Sequence, residues 1–234
     1  MQVFYTPEIK KITYQLTEEE SKHAVKVLRL AIGDEICMVD GVGGMYYGII
    51  DDPNPKKCTI RVIEKIEQYN RKNYYLHIAI APTKNNDRLE WFLEKATEIG
   101  IDEITPLLCE HSERKVIKNE RFEKIILSAM KQSIKAYKPK LNKLTTFKNF
   151  IKEVDNEGVF IAHCEDNPKP SFKSEITPFS KITIMIGPEG DFSPAEIELA
   201  KARGIKEVHL GKSRLRTETA GIVACHTVCV CKDE

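Results

Sequence analysis

Two short runs concentrate the chain's candidate reactive and ligand-facing groups. The first is Gly187-Pro188-Glu189-Gly190. The second starts at Gly211 and passes through Arg216, Thr217 and Glu218 to Ala220. Glycine lets the backbone take unusual angles or come close to a bound molecule. Arg216 lies in the tight run Arg214-Leu215-Arg216-Thr217-Glu218-Thr219-Ala220. Its guanidinium can polarise a substrate oxygen but stays protonated, so it cannot act as a base. Glu218 can accept a proton or orient Arg216, and an acid in a first helical turn is also favoured by the helix dipole. Neither run is a dinucleotide fingerprint, because Gly-x-x-Gly is not Gly-x-Gly-x-x-Gly. Neither is a phosphate loop, because no Gly-Lys-Ser/Thr follows a four-residue spacer. The pair suggests a pocket for a small molecule.

The elements around these runs explain why they would meet. Each follows a short apolar strand, at 182–186 and 208–210. In a parallel α/β sheet the loops beyond the strands' C-terminal ends line the ligand crevice. Ser193 is the expected N-cap of the intervening helix, with Pro194 at its first position and Glu196 completing a capping box. Gly204 is its expected end. Thr217 or Thr219 starts the last helix, apolar over 220–231 and suited to the core or a dimer seam. Upstream, strands are expected at 74–81, 104–108 and 159–163. A helix capped by Asn86 or Asp87 runs to Ile99, burying Leu89, Phe92, Leu93 and Ala96. Trp91 reads as core or interface packing. A further helix over 120–137 places Phe122, Ile125, Ile126, Ala129 and Ile134 inward. The strand–helix alternation makes 74–234 an α/β domain with a mostly parallel sheet.

Residues 1–70 read as a separate β-rich domain, with a polar linker at 67–73. Strands are expected at 3–5, 11–16, 36–39, 45–50 and 57–66. One helix over 18–30, opened by Thr17 and Glu20, buries Val25, Leu28 and Ile32. Several short strands with one helix suggest a compact barrel.

The chain has 234 residues, 41% hydrophobic and 30% charged, an ordinary soluble composition. No apolar run approaches the ~18 residues that span a bilayer, and no export signal is read at the start. A cytoplasmic location is expected. The seven cysteines are scattered and odd in number, which suits reduced thiols. Cys225, Cys229, Cys231 and His226 lack a second ligand pair at zinc spacing, so no metal is expected. Net charge is only +1, yet residues 114–152 carry twelve Lys or Arg against Glu120 and Glu123. That local basic region, rather than overall charge, supports an RNA partner.

Longer stretches carry a resemblance. IGPEGDFS at 186–193, LGKSRLRTETA at 210–220, KHAVKVLRLAIGDE at 22–35 and LEWFLEKATEIGIDEITPL at 89–107 closely resemble the RsmE family. Its members methylate N3 of a uridine in 16S ribosomal RNA and belong to the SPOUT superfamily. The resemblance spans nearly the whole chain, with its motifs in the family's order. It implies a trefoil-knotted α/β methyltransferase domain over 74–234 and a PUA-like, RNA-binding β-barrel over 1–70. It also implies S-adenosyl-L-methionine as cofactor, 16S rRNA of the small ribosomal subunit as partner, and a homodimer. Cofactor contacts are implied for Ile186, Gly187, Pro188, Glu189, Gly190, Leu210, Gly211, Leu215, Arg216, Thr219 and Ala220. Arg216 and Glu218 are implied at the reaction centre. Arg29 is expected to hold an RNA phosphate or to brace the second domain, with Lys131, Lys135 and Lys138 on a basic face. The family's arginine after Gln-Ser is here Lys135, which keeps the charge and loses the planar fork. Two other functions share these features: a non-catalytic rRNA-binding assembly protein, and a SPOUT methyltransferase with another nucleoside target.

Overall fold

The computed structural model describes residues 2–232. It divides into two compact units. One runs up to Arg71 and includes Leu127–Lys138; the other is Lys72–Ile126 together with the chain from Pro139. The break after Arg71 falls inside the polar 67–73 stretch. The segment 127–138 packs with the first unit, a division that sequence order does not reveal.

The first unit is built on a five-stranded sheet of β1 (Val3–Tyr5), β2 (Thr13–Gln15), β3 (Glu35–Val39), β4 (Met45–Asp52) and β5 (Thr59–Ile66), in the order β1-β3-β4-β5-β2. All its pairs are antiparallel except β1 with β3. Register shifts at Tyr47/Gly48 and Ile50/Asp52 interrupt the long β4–β5 ladder, and such bulges bend a strand and increase its twist. Phe4, Leu16, Met38, Ile50 and Ile60 are buried within it.

Two helices depart from expectation. Thr17 caps α1 by accepting from the Glu20 amide, but α1 (Glu18–Lys22) is only five residues long. It widens into a π-helical turn over His23–Val27. The wider turn changes which residues face inward. Val25 and Leu28 still pack on the core, while Val27 and Ile32 are 66% and 70% exposed. Arg29 then takes a left-handed φ of 59°. The helix over 120–137 is α3 (Asn119–Gln132), five residues shorter at its end. Ile134 is left-handed, with φ 55°, and the Lys135 amide reaches back to the Met130 carbonyl at 3.0 Å. This is a helix-ending turn built without glycine. Met130 and Ala136 join Val3, Cys37, Val39 and Met45 in a second cluster of the first unit.

The second unit carries a seven-stranded sheet. Its strands are β6 (Tyr75–Ile80), β7 (Glu103–Leu108), β8 (Lys140–Leu141), β9 (Thr145–Thr146), β10 (Val159–Ala162), β11 (Lys181–Ile186) and β12 (Lys206–Val208). Their order is β12-β10-β11-β6-β7-β8, with β9 also on β7, and every pair is parallel. A buried parallel sheet needs apolar residues on both faces, and Ile182, Ile184, Met185 and Ile186 supply them in β11. α2 (Asn86–Ile99) and α7 (Thr217–Lys232) pack together, and α7 also lies on β6 and β11. The N-cap of α2 is Asn85, one residue before the expected pair. α4 (Phe147–Glu153) and α6 (Pro194–Ala202) contribute Phe147, Phe150 and Ile197 to another cluster with Met185. α5 (Phe172–Glu175) is a single turn. α6 opens with the expected Ser193/Glu196 capping box and Pro194 in its first turn, and it stops at the expected glycine: Gly204, at φ 75°, follows the Arg203 cap and donates its amide to the Lys201 carbonyl at 2.8 Å. β12 lies two residues before the expected strand. Trp91 is 43% exposed within the single chain, so it is not part of this unit's core.

Candidate active site

Strand register assembles the site. Ile80 pairs with Ile186, Ile186 with Ala162, and Ala162 with Val208. Four strands therefore end side by side, and their following loops leave from one edge of the sheet. That edge holds a cleft of about 760 Å³ and an adjoining cavity of about 280 Å³. The two share Ala162, Cys164, Asp191, Arg214, Leu215 and Ala220 as walls.

The structure brings most of the expected residues to these walls. Ile186, Gly187, Pro188, Glu189, Leu215, Arg216 and Ala220 line the smaller cavity. Leu210 and Gly211 line the larger one, with Leu215 and Ala220 again. Thr217 Oγ1 donates to the Gly187 carbonyl at 3.1 Å and so joins the two glycine-containing loops. A Cβ at Gly187 would sit tightly, 3.1 Å from the Phe192 ring and amide. Gly211 has φ 133°, an angle that L side chains rarely adopt.

Three expected residues line neither cavity: Gly190, Glu218 and Thr219. Gly190 is held by its carbonyl, 3.0 Å from His111 Nδ1. Thr219 is half-buried. Glu218 is buried, and the cation paired with it is Arg88 of α2, whose Nε lies 3.7 Å from Oε1. Its Oε2 is buried without a partner.

The loop after β10 had no assigned role in the sequence. It supplies Cys164, Glu165, Asp166, Asn167 and Lys169 to the larger cleft. The available signal was an apolar strand running straight into Cys164-Glu165-Asp166, the same strand-then-polar-loop pattern as the other two. The loops also brace one another. The Lys84 amide donates to Glu189 Oε1 at 2.9 Å, and Arg114 donates to the carbonyls of Thr83 and Lys84. Partial desolvation of the sulfur, reinforced by Asp191, pushes the Cys164 thiol above its ordinary pKa, which makes it a poor nucleophile.

The four expected RNA-binding residues fall in the first unit. Arg29 is exposed. Lys131 Nζ pairs with Glu20 Oε1 at 2.8 Å, while Lys135 and Lys138 are half-buried. No group of three or more His, Cys, Asp or Glu side chains is arranged to hold a metal among the described residues.

Comparison with known proteins places these features in a family. Residues 70–229 match the model of an RNA methyltransferase domain, and residues 16–63 match an RNA methyltransferase PUA domain. The ribosomal RNA small subunit methyltransferase E of Mesomycoplasma hyopneumoniae is 31% identical over 94% of this chain and 95% of its own. That of Rickettsia conorii is 30% identical over 90% of this chain and 86% of its own. A crystal structure of a probable rRNA-methyltransferase from Porphyromonas gingivalis superposes with a TM-score of 0.93 at 38% identity, covering 100% of this chain and 99% of the other. A protein from Legionella pneumophila, described as a methyltransferase and solved with the cofactor SAM bound, gives 0.86 at 27% identity over 97% and 96%.

Proposed function

Because the chain belongs to the ribosomal RNA small subunit methyltransferase E family, we propose that it methylates N3 of a uridine in 16S ribosomal RNA, with S-adenosyl-L-methionine as methyl donor. The observation that carries this reading is the register-aligned set of loops, with Gly187–Glu189 facing one cavity and Leu210–Leu215 spanning both. The cleft fits the donor. Its volume lies in the usual range for small-molecule sites, its walls mix Ala162, Leu210 and Leu215 with polar groups, and its glycines allow close backbone approach. The bound donor supplies an electrophilic methyl on a sulfonium.

The chain's residues supply the rest. The loops hold the donor in place, so that it and the base meet in line. Arg216, exposed at the wall of the smaller cavity, polarises a uracil oxygen and favours loss of the N3 proton. Two carboxylates are the candidates to receive that proton. Glu189 lines the smaller cavity, and Glu218 has an unpartnered buried oxygen. Glu218 takes up the proton or holds Arg216 in orientation.

The finer architecture belongs to the same reading. The second unit is a SPOUT-type trefoil knot, a reading supported by the match of residues 70–229 to the RNA methyltransferase domain. The first is a PUA-like barrel that contacts rRNA through Arg29, Lys131, Lys135 and Lys138. The protein acts in the cytoplasm as a homodimer; exposed Trp91 and Val230 lie on the mutually packed α2 and α7. None of the described helices is long and apolar enough to cross a membrane.

Isothermal titration of the purified protein with S-adenosyl-L-methionine tests the cofactor site. Saturable binding is expected, and Gly187→Val should abolish it. A wild-type protein that binds no S-adenosyl-L-methionine would remove the reading.

A further inference from the structure

We propose that Asp191 is a positioning residue that clamps two of the cofactor loops together; the inference rests on the reading of this cleft as the S-adenosyl-L-methionine site. Asp191 is a wall of both cavities. Its Oδ2 accepts from the Cys164 amide at 2.7 Å, across 27 residues of chain. Its Oδ1 accepts from the Phe192 amide at 2.8 Å. One carboxylate thus ties the loop after β10 to the turn after β11. The backbone of Asp191 is fixed as well. Its amide donates to the Pro188 carbonyl at 2.9 Å, and its carbonyl lies 3.1 Å from His111 Nδ1, which also reaches the Gly190 carbonyl.

The backbone angle makes the side chain informative. Asp191 has φ 62°, a left-handed conformation that glycine holds with less strain. A non-glycine residue persists there when its surroundings fix it, and such residues cluster at functional sites. The carboxylate accounts for the choice, because glycine would relax the turn and release the Cys164 loop. The distance between the two loops sets the width of the cleft they share, so Asp191 acts on the donor through Cys164 and the 187–190 turn.

Asp191→Gly and Asp191→Asn test this. Glycine removes both carboxylate bonds and suits the angle. Asparagine also tolerates the angle, but its single acceptor oxygen serves only one of the two amides. In the cofactor-free protein, hydrogen exchange at the Cys164 amide should accelerate in Asp191→Gly. The dissociation constant for S-adenosyl-L-methionine should rise about tenfold, equivalent to about 1.4 kcal/mol, with Asp191→Asn in between. Turnover at saturating donor should stay close to wild type, and the melting temperature should not fall. Unchanged Cys164 exchange, unchanged donor affinity, or a melting temperature that falls along with the affinity would each overturn the clamp. Cys164 exchange is read without cofactor, so it judges the clamp even if the wild type binds no donor, an outcome that would instead count against the proposed function.

Discussion

Arg216 is the residue on which the chemistry turns. Replacing it with alanine should lower methyl transfer by about 100-fold or more, the usual cost of losing a donor aimed at developing charge. Affinity for S-adenosyl-L-methionine, measured by titration, should stay close to wild type. Transfer left intact would remove Arg216 from the mechanism. Glu218→Gln and Glu189→Gln separate the two carboxylates. If Glu218 takes the N3 proton, single-turnover methylation should fall in Glu218→Gln and hold in Glu189→Gln, and the reverse pattern would move the role to Glu189. Both glycine-containing loops were legible from residue types alone. Asp191 and Cys164 were not, because their importance arises from a hydrogen bond across 27 residues that no local spacing encodes. Arg88 was hidden for the same reason: its pairing with Glu218 exists only once α2 lies beside α7.

At the scale of elements, local rules worked where the local chemistry was complete. Ser193, Pro194 and Glu196 form a self-sufficient helix start, and the structure has it as expected. Ser193→Ala should cost about 1 kcal/mol in denaturant unfolding, and no loss would contradict the cap. Local rules failed where packing overrode them. Thr17 and Glu20 signal the start of α1 but give no hint of the π-helical turn that follows. The end of α3 was missed because Ile134, a β-branched residue, takes the left-handed position usually given to glycine. The crossing of α7 over the sheet depends on Gly221. A Cβ there would meet Phe92 Cε2 at 2.6 Å and Ile80 Cδ1 at 2.9 Å. Gly221→Ala should therefore destabilise the protein by about 1–3 kcal/mol, read as a lower melting temperature. A melting temperature at or above wild type would show that the crossing has slack.

For the whole molecule, strand–helix order pointed to the parallel sheet that the structure contains. It did not give the contribution of 127–138 to the first unit, because a segment distant in sequence completes that body. The stability of the second unit should depend on acid through one buried network. His77 is buried beside Phe150, with Nε2 2.7 Å from Thr105 Oγ1. Burial holds its pKa down to about 4, Lys140 and Lys181 acting in the same sense and Glu103 against it. The unfolded chain therefore protonates first, near the ordinary 6.5. The stabilising effect of the neutral ring is complete above that value and drains away as pH falls toward 4. By pH 5 the loss from His77 alone should reach about 2 kcal/mol relative to pH 8. Glu103 adds a second acid-sensitive step. Burial raises its pKa, but the bonds from Lys140, Asn142 and Tyr75 outweigh this and hold it at about 2. Its contribution is present above the ordinary 4.5 and lost between there and about 2. Urea unfolding at pH 8 and pH 5 should differ less in His77→Gln than in wild type, and an equal difference would contradict the assignment.

Methyl transfer from labelled S-adenosyl-L-methionine can be followed on small ribosomal subunits from a strain lacking this gene, with the product nucleoside identified by mass spectrometry. One N3-methyluridine per 16S rRNA is expected with wild-type protein, and almost none with Arg216→Ala. No transfer by the wild type, or a methyl group on a different atom or nucleoside, would contradict the account.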